Sequence, residues 1–192
     1  MGGGALLAAF LQLAAAVPAE APPAWLPEAV ALGSTKAKLD TYRAPGLAVE
    51  YTTPFLRVAR AANKAFREGR PLRAADVEAR AWVPELRVLI GARPVTEGGR
   101  LLALAAPKSA RLTLGAGEVG PTRMDAGTEK QSVSVEGAPA REMTGGVLRV
   151  VFEVKGPAPP GGVLEVRYAW TRGGREQEIV ERVPLDFRQT RW

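Results

Sequence analysis

Two stretches near the C-terminal end decide the fold: "VLRVVFEV" at residues 147–154 and "VLEVRYAW" at residues 163–170. In each stretch every second residue is large and apolar, which is the period of a β-strand with one buried face. These residues are Leu148, Val150, Phe152 and Val154 in the first stretch, and Leu164, Val166, Tyr168 and Trp170 in the second. The connection "TRGGRE" at residues 171–176 predicts a tight hairpin into a further strand at 177–183.

Shorter alternating segments precede this hairpin. They lie at residues 47–52, 77–83, 86–90, 100–104, 111–114 and 132–135. Short strands spaced by about ten residues, with glycine and proline between them, are typical of a β-sandwich. The sequence therefore predicts a mainly β fold, an immunoglobulin-like antiparallel β-sandwich. The likeness is architectural only, because the chain has no cysteine to form the Cys…Trp…Cys core of true immunoglobulin domains.

One amphipathic helix is predicted at residues 54–68. Thr53 is a favourable N-cap, Pro54 suits the first helical position, and Gly69 suits the C′ position. An apolar face is formed by Phe55, Val58, Ala59, Ala62, Ala65 and Phe66, and we expect it to pack on the sandwich. The opposite face is basic and carries Arg57, Arg60, Lys64 and Arg67.

The N-terminal segment has the pattern of an export signal. An uncharged, apolar run is followed by small residues, which predicts a signal peptide over 1–19 with cleavage after Ala19. The run is too short to span a bilayer comfortably, although an uncleaved anchor and a cytosolic protein are the alternatives. Residues 20–46 are predicted to be a proline-rich linker or arm that Trp25 tacks onto the domain, with a short helix near residues 28–32 as an alternative for part of it. Residues 47–192 are predicted to form a single domain.

Composition excludes several chemistries. The 192-residue chain has neither cysteine nor histidine, so disulfides, thiolate metal sites and Ser-His-Asp or Cys-His catalysis are ruled out. Any catalysis would depend on carboxylates, lysine or tyrosine. The net charge of +6 favours anionic partners in general. We expect no catalytic residues, no cofactor and no metal.

Three local patterns resemble nucleotide-binding or catalytic motifs, but the residues around each of them do not support that function. "GAGEVG" at residues 115–120 matches a dinucleotide-binding consensus, but Pro121 follows where a helix would have to begin. Lys108 and Ser109 are neighbours that a strand would point to opposite faces. Glu176 and Glu178 would share a strand face with Arg182 nearby, which is typical of an ordinary charged sheet surface.

Two surfaces remain as candidate binding sites. Trp82 falls on the polar side of its predicted strand and is the best exposed ring for stacking a sugar. The basic face formed by Arg57, Arg60, Lys64 and Arg67 would suit anionic lipid or an acidic protein, although the simpler interpretation is that it faces water. Nucleic acid is not expected, because no aromatic residues interleave with this face.

These observations favour an exported, periplasmic or secreted, non-enzymatic interaction or accessory domain of the cell envelope. Its expected partner is an envelope protein, a polysaccharide or an anionic surface, and it would not be an integral membrane protein after cleavage. The alternative is a carbohydrate- or cell-wall-binding module that uses surface aromatic residues. An enzyme based on two converging carboxylates is a further alternative.

Overall fold

The computed structural model describes residues 23–35, 42–44, 46–77, 81–97, 100–134, 139–155, 159–172 and 175–187. The predicted signal peptide lies outside these residues, as does Trp192. The chain forms two compact units. Of the described residues, 23–35, 52–77 and 81–85 belong to a helical unit, and 42–44, 46–51 and those from 86 to 187 belong to a β unit.

The helical unit contains helices α1 (Leu26–Gly33) and α2 (Pro54–Arg67) and a 3-10 turn at Ala74–Asp76. The two helices bury a shared apolar cluster in which the rings of Trp25 and Phe55 lie 5.8 Å apart. The cluster also contains Leu26, Ala29, Val30, Val58, Ala59, Ala62, Ala65, Leu72 and Ala81. Helix α1 therefore occupies part of the segment predicted to be a linker and includes residues 28–32, for which a short helix was the alternative; the Trp25 side chain is buried at its N-terminus.

The capping residues predicted at both ends of α2 make capping contacts in the structure. The Thr53 side chain accepts a hydrogen bond from the Leu56 N–H at 3.3 Å. At the other end, Gly69 has a φ of 67°, its N–H donates to Phe66 O, and the Arg70 N–H donates to Ala65 O. These two bonds form a Schellman motif, which requires the left-handed conformation that glycine adopts without strain. One prediction for this helix was wrong, because the Phe66 side chain is 45% exposed rather than buried.

The two helices meet through small residues. A Cβ atom at Gly33 would lie 2.6 Å from Ala62 Cβ and would overlap the Ala59 carbonyl. The Asn63 side chain of α2 donates to Gly33 O at 2.9 Å and to Thr35 O at 2.8 Å, which satisfies two carbonyls at the C-terminal end of α1. The close approach of α1 to α2 therefore depends on the absence of a side chain at Gly33.

The described residues of the β unit form eleven strands. They are β1 (Tyr42–Ala44), β2 (Leu47–Thr52), β3 (Glu85–Ala92), β4 (Pro94–Glu97), β5 (Arg100–Leu104), β6 (Ala106–Leu114), β7 (Gly117–Val119), β8 (Arg123–Val133), β9 (Arg141–Glu153), β10 (Gly161–Arg172) and β11 (Arg175–Asp186). One sheet has the order β1-β2-β3-β9-β8, the second has the order β11-β10-β6-β7, and β4 pairs with β5. The predicted mainly β, sandwich-like class is confirmed, but its immunoglobulin-like form is not.

The apolar residues of the two diagnostic stretches are buried in the β unit, as the alternation predicted. Leu148, Val150, Phe152 and Val154 of the first stretch are at most 3% exposed, and Leu164, Val166 and Tyr168 of the second are at most 2% exposed. Trp170 is only half-buried. Strand β9 approaches the start of β6 closely, because a Cβ at Gly146 would lie 3.0 Å from Pro107 Cδ. On the other side of the sandwich, the Tyr51 hydroxyl donates to Asp186 O at 3.1 Å.

The strand predicted at residues 77–83 is wrong. Residues 78–80 lie outside the described part of the chain, and residues 81–84 form a turn and bend. Their backbone does not need a strand partner, because the carbonyls of Ala81 and Val83 accept hydrogen bonds from Arg57. The strand predicted at 132–135 is the end of a much longer one, β8, most of which the sequence pattern missed.

Replacing Gly33 by alanine tests the helix contact. We expect Gly33→Ala to lower the free energy of unfolding of the helical unit by roughly 1–3 kcal/mol, because the added methyl group must push α1 away from α2. Gly120→Ala is the matched control, since nothing lies within 4 Å of a Cβ at that position. Urea unfolding followed by helical circular dichroism measures both variants. Equal stability of Gly33→Ala and the native chain would contradict the proposed contact.

Candidate interaction surface

Among the strands that the structure describes, β8 is an open edge of the five-stranded sheet. It pairs with β9 along its whole length, from Arg123 opposite Val151 to Val133 opposite Arg141, and it is the last strand in the order of its sheet. Residues 123–130 are all exposed, so neither face of this part of the strand is covered. The outward-pointing N–H and C=O groups of an edge strand are available to pair with another strand.

One face of β8 belongs to the inward side of its sheet and is nevertheless exposed. Met124 lies opposite Val150, and Ala126 lies opposite Leu148, and directly opposed residues share a face. Val150 and Leu148 are each 1% exposed, whereas Met124 is 47% exposed. The inward face of the sheet therefore continues past its buried core onto an uncovered strip on β8.

The strip is uncovered because the two sheets end differently on this side. Strand β9 contacts β6, and Tyr51 of β2 bonds to Asp186 of β11. The strand orders of the two sheets then put β8 and β7 on the same side of the sandwich. Strand β8 has 11 residues, but β7 has only 3. The second sheet is thus too short here to cover the first. We call the exposed strip and the free edge of Arg123–Val133 together the β8 surface.

The opposite edge of the second sheet is protected in the usual way. Strand β11 carries Pro184, which cannot donate a ladder hydrogen bond, and a series of charged side chains that includes Glu176, Glu178 and Arg182. Strand β8 contains no proline, and between its charged residues Arg123, Asp125, Glu129 and Lys130 it has an uncharged stretch, residues 126–128. Of these two long edge strands, β8 is the one whose sequence permits further pairing.

The predicted binding residue Arg57 is not on the solvent face of α2. It is 9% exposed, and its guanidinium group donates from Nε to Ala81 O at 2.9 Å, from Nη1 to Glu85 O at 2.9 Å and from Nη2 to Val83 O at 2.6 Å. The helical pattern placed it outside because arginine is a charged residue type. The long side chain instead turns to the segment that follows α2 and satisfies its carbonyls.

The other three basic residues of α2 form a smaller surface than the sequence predicted. Lys64 and Arg67 are exposed, and Arg60 is half-buried. Phe66 is also exposed on this helix, next to Arg67 in sequence. The structure therefore separates Arg57 from Arg60, Lys64 and Arg67 and leaves Lys64 and Arg67 as the exposed cations of this face.

The proposed sugar-binding residue Trp82 is half-buried. Its side chain packs against the apolar cluster of the helical unit, beside Ala81, which is 1% exposed. Trp82 was placed on a surface because residues 77–83 were expected to form a strand with two faces. In a turn that packs on helices, the same residue contributes to the core instead.

The remaining chemical patterns have structural explanations. In "GAGEVG", Gly115 has a φ of 57° and the motif forms the tight turn between β6 and β7, with Leu114 opposite Gly117. Lys108 forms an ion pair with Glu176, whose hydrogen bond raises the pKa of the lysine. Arg167 lies 3.9 Å from Glu178 and 3.8 Å from Glu165. These groups form a charged outer sheet surface, as the sequence suggested.

A hydrogen-bonded cluster fixes the segment after α2. Arg70 donates to both carboxylate oxygens of Asp76, at 2.6 and 2.8 Å, and also to Glu68 at 2.7 Å. The Asp76 carboxylate accepts a further bond from the Arg73 N–H at 2.7 Å. The Arg70 hydrogen bond is the main cause of a lowered Asp76 pKa, and the same bond raises the pKa of Arg70. Sequence reasoning missed this cluster, because its members come from a loop.

Two further features were sought in the described residues. Within them, no group of three or more acidic side chains is placed to hold a metal ion. No helix in the same part of the chain is long and apolar enough to cross a membrane.

Arg57 and Arg67 allow a matched test on one helix. We expect Arg57→Met to lower the free energy of unfolding by roughly 2–3 kcal/mol, because carbonyls that are now bonded to a charged group lose their donor. Arg67→Met should change it by no more than about 0.5 kcal/mol, since that side chain is exposed. Urea unfolding measures both. Comparable effects of the two substitutions would show that Arg57 has no special structural role.

The Asp76 cluster predicts a pH dependence. Because the folded-state pKa is below the ordinary value of 3.8, the cluster stabilises the fold above that pH and loses its contribution as the pH falls through the folded-state pKa. We expect the native chain to lose stability more steeply than Asp76→Asn in this acid range. Thermal unfolding at a series of pH values measures the difference. Parallel pH profiles of the two proteins would refute it.

The comparisons with known proteins give no relative. No protein-family model matches the chain, and no curated protein or solved structure is significantly similar to it.

Proposed function

We propose that this chain is an exported interaction or accessory protein of the cell envelope that acts by binding another polypeptide rather than by catalysis. The β8 surface is the proposed binding site, and strand addition is the proposed mode. An added strand would pair with the free backbone groups of β8 and would place alternate side chains over the uncovered strip. The export part of the proposal comes from the signal-like pattern of residues 1–19.

The single observation that supports this function is the combination of a free edge with an exposed inward face. An edge alone is common, and proteins usually protect it with proline, charge or a covering segment. At β8 the side chains of Met124, Ala126 and Thr128 are exposed on the inward face of their sheet. An added strand would therefore gain both backbone hydrogen bonds and apolar contact at one site.

The alternative functions receive less support. The carbohydrate-binding proposal depended on Trp82, whose half-buried ring packs on the helical cluster. The anionic-surface proposal retains Lys64 and Arg67 as exposed members of its basic face, while Arg60 is half-buried and Arg57 is buried. The carboxylate-enzyme proposal depended on Glu176 and Glu178, which face Lys108 and Arg167 respectively. We therefore rank binding through β8 first.

Photo-crosslinking tests the proposed site. A photoreactive phenylalanine analogue is placed at Met124 on β8 or at Val180 on β11, and the full chain is expressed in its own host and irradiated. These positions are matched, with exposed fractions of 47% and 48%. We expect one defined covalent adduct with a polypeptide from position 124 and none from position 180. Its mass and peptide fragments identify the attached chain.

Two results would refute the proposal. The first is the absence of an adduct from position 124 after irradiation that has fully converted the photoreactive side chain. The second is the same set of adducts from positions 124 and 180, because this would indicate random collision instead of a site on β8.

A further inference from the structure

We infer that the strand added to β8 is the β8 strand of a second copy of this chain, in a two-fold symmetric antiparallel pair centred on Ala126. This inference rests on the proposed function, because it names the partner of the same surface. It would join two five-stranded sheets into one continuous sheet. The inference comes from the order of charges along "RMDAGTEKQSV", residues 123–133.

Symmetry limits the possible registers. When an edge strand pairs antiparallel with its own copy about an axis perpendicular to the sheet, each face continues into the same face of the partner. Opposed residues must then both be odd-numbered or both be even-numbered. One residue lies on the axis opposite its own copy, so each register is named by that central residue.

Two registers oppose unlike charges. The register centred on Met124 places Arg123 opposite the partner's Asp125, but it pairs only residues 123–125 of β8, because the strand begins at Arg123. The register centred on Ala126 pairs residues 123–129. It places Arg123 opposite the partner's Glu129, and Glu129 opposite the partner's Arg123. Centring on Gly127 places Asp125 opposite Glu129 twice, and centring on Asp125 opposes that aspartate to its own copy. Centring on Thr128 opposes no unlike charges. Because directly opposed like charges destabilise a sheet and unlike charges stabilise it, charge and the length of the paired segment together select Ala126 as the central residue.

The side chains near the axis agree with this register. Asp125 would face the partner's Gly127, and the Arg149 guanidinium lies over that glycine, with Nη1 3.6 Å from where a Cβ would be. Each Asp125 would therefore meet an arginine of the other copy. On the inward face Met124 would lie opposite the partner's Thr128, so its exposed apolar side chain would gain a neighbour. Only small residues would lie on the axis.

A cysteine scan tests the register directly, because the native chain has no cysteine. In the inferred pair the two Ala126 Cα atoms are roughly 4.5–5.5 Å apart, which a disulfide spans. The two Met124 Cα atoms are about 13 Å apart, because Met124 is opposed by residue 128. We expect Ala126→Cys to form disulfide-linked dimers of the full chain under mild oxidation. Met124→Cys, an exposed position on the same face, should not.

Charge exchange provides the second test. Arg123→Glu and Glu129→Arg each create two like-charge contacts, so each variant alone should dimerise at least about tenfold more weakly. Mixing the two variants should restore dimerisation, because each heterodimer then opposes unlike charges at both positions. The double variant should also recover. A loss of folding would not produce this recovery.

The outcomes are separable from those of the proposed function. Sedimentation equilibrium of the native full chain that shows only monomer up to roughly 100 μM would overturn the self-pairing. Equal cross-linking of Ala126→Cys and Met124→Cys would also overturn it, as would a failure of the mixed charge variants to recover. An adduct between position 124 and a different protein would preserve the proposed function while refuting the second copy as its partner.

Discussion

The difference in length between the outer strands β7 and β8 is the constraint on which the rest of the account depends. A sandwich buries the inward face of one sheet against the inward face of the other, and this requires strands of similar length on both sides. On the β9 side the second sheet ends with β7, a strand of 3 residues, while the first sheet ends with β8, a strand of 11 residues. The core is closed over Val150 and Phe152 and stops before Met124. A free edge and an exposed strip follow from this single mismatch.

In the helical unit, side chains provide hydrogen-bond partners for backbone groups of the segment that leads from α2 into β3. The carbonyls of Ala81, Val83 and Glu85 accept hydrogen bonds from one arginine. A planar guanidinium with five donors suits this arrangement better than the ammonium group of lysine would. Asp76 also holds backbone in place: its carboxylate accepts hydrogen bonds from the Arg70 side chain and from the Arg73 N–H in the segment that precedes Ala81. Polar side chains thus hold the irregular segment between α2 and β3 in place.

The elements that could be predicted from the sequence are those with one buried face and one solvent-exposed face. The alternation in residues 147–154 and 163–170 matches buried strands, and the capping residues Thr53 and Gly69 correctly bound α2. Strand β8 could not be found in this way, because residues 123–130 are exposed on both faces and their sequence has no apolar alternation. Exposure on both faces makes β8 a candidate binding surface, and it is also the reason that the sequence pattern did not reveal the strand. Arg57 was misplaced for a related reason, since residue type alone does not reveal three carbonyls within reach.

Residue-resolved amide hydrogen exchange of the full chain, measured at low and high protein concentration, tests the central claim most directly. At low concentration the outward-pointing amides of β8 should exchange quickly, because no strand pairs with them. At high concentration alternate amides around Ala126 should become protected, while those of β11, the other long edge strand, should keep the same rates. Identical β8 exchange rates at both concentrations would contradict the claim that this edge pairs with a second copy.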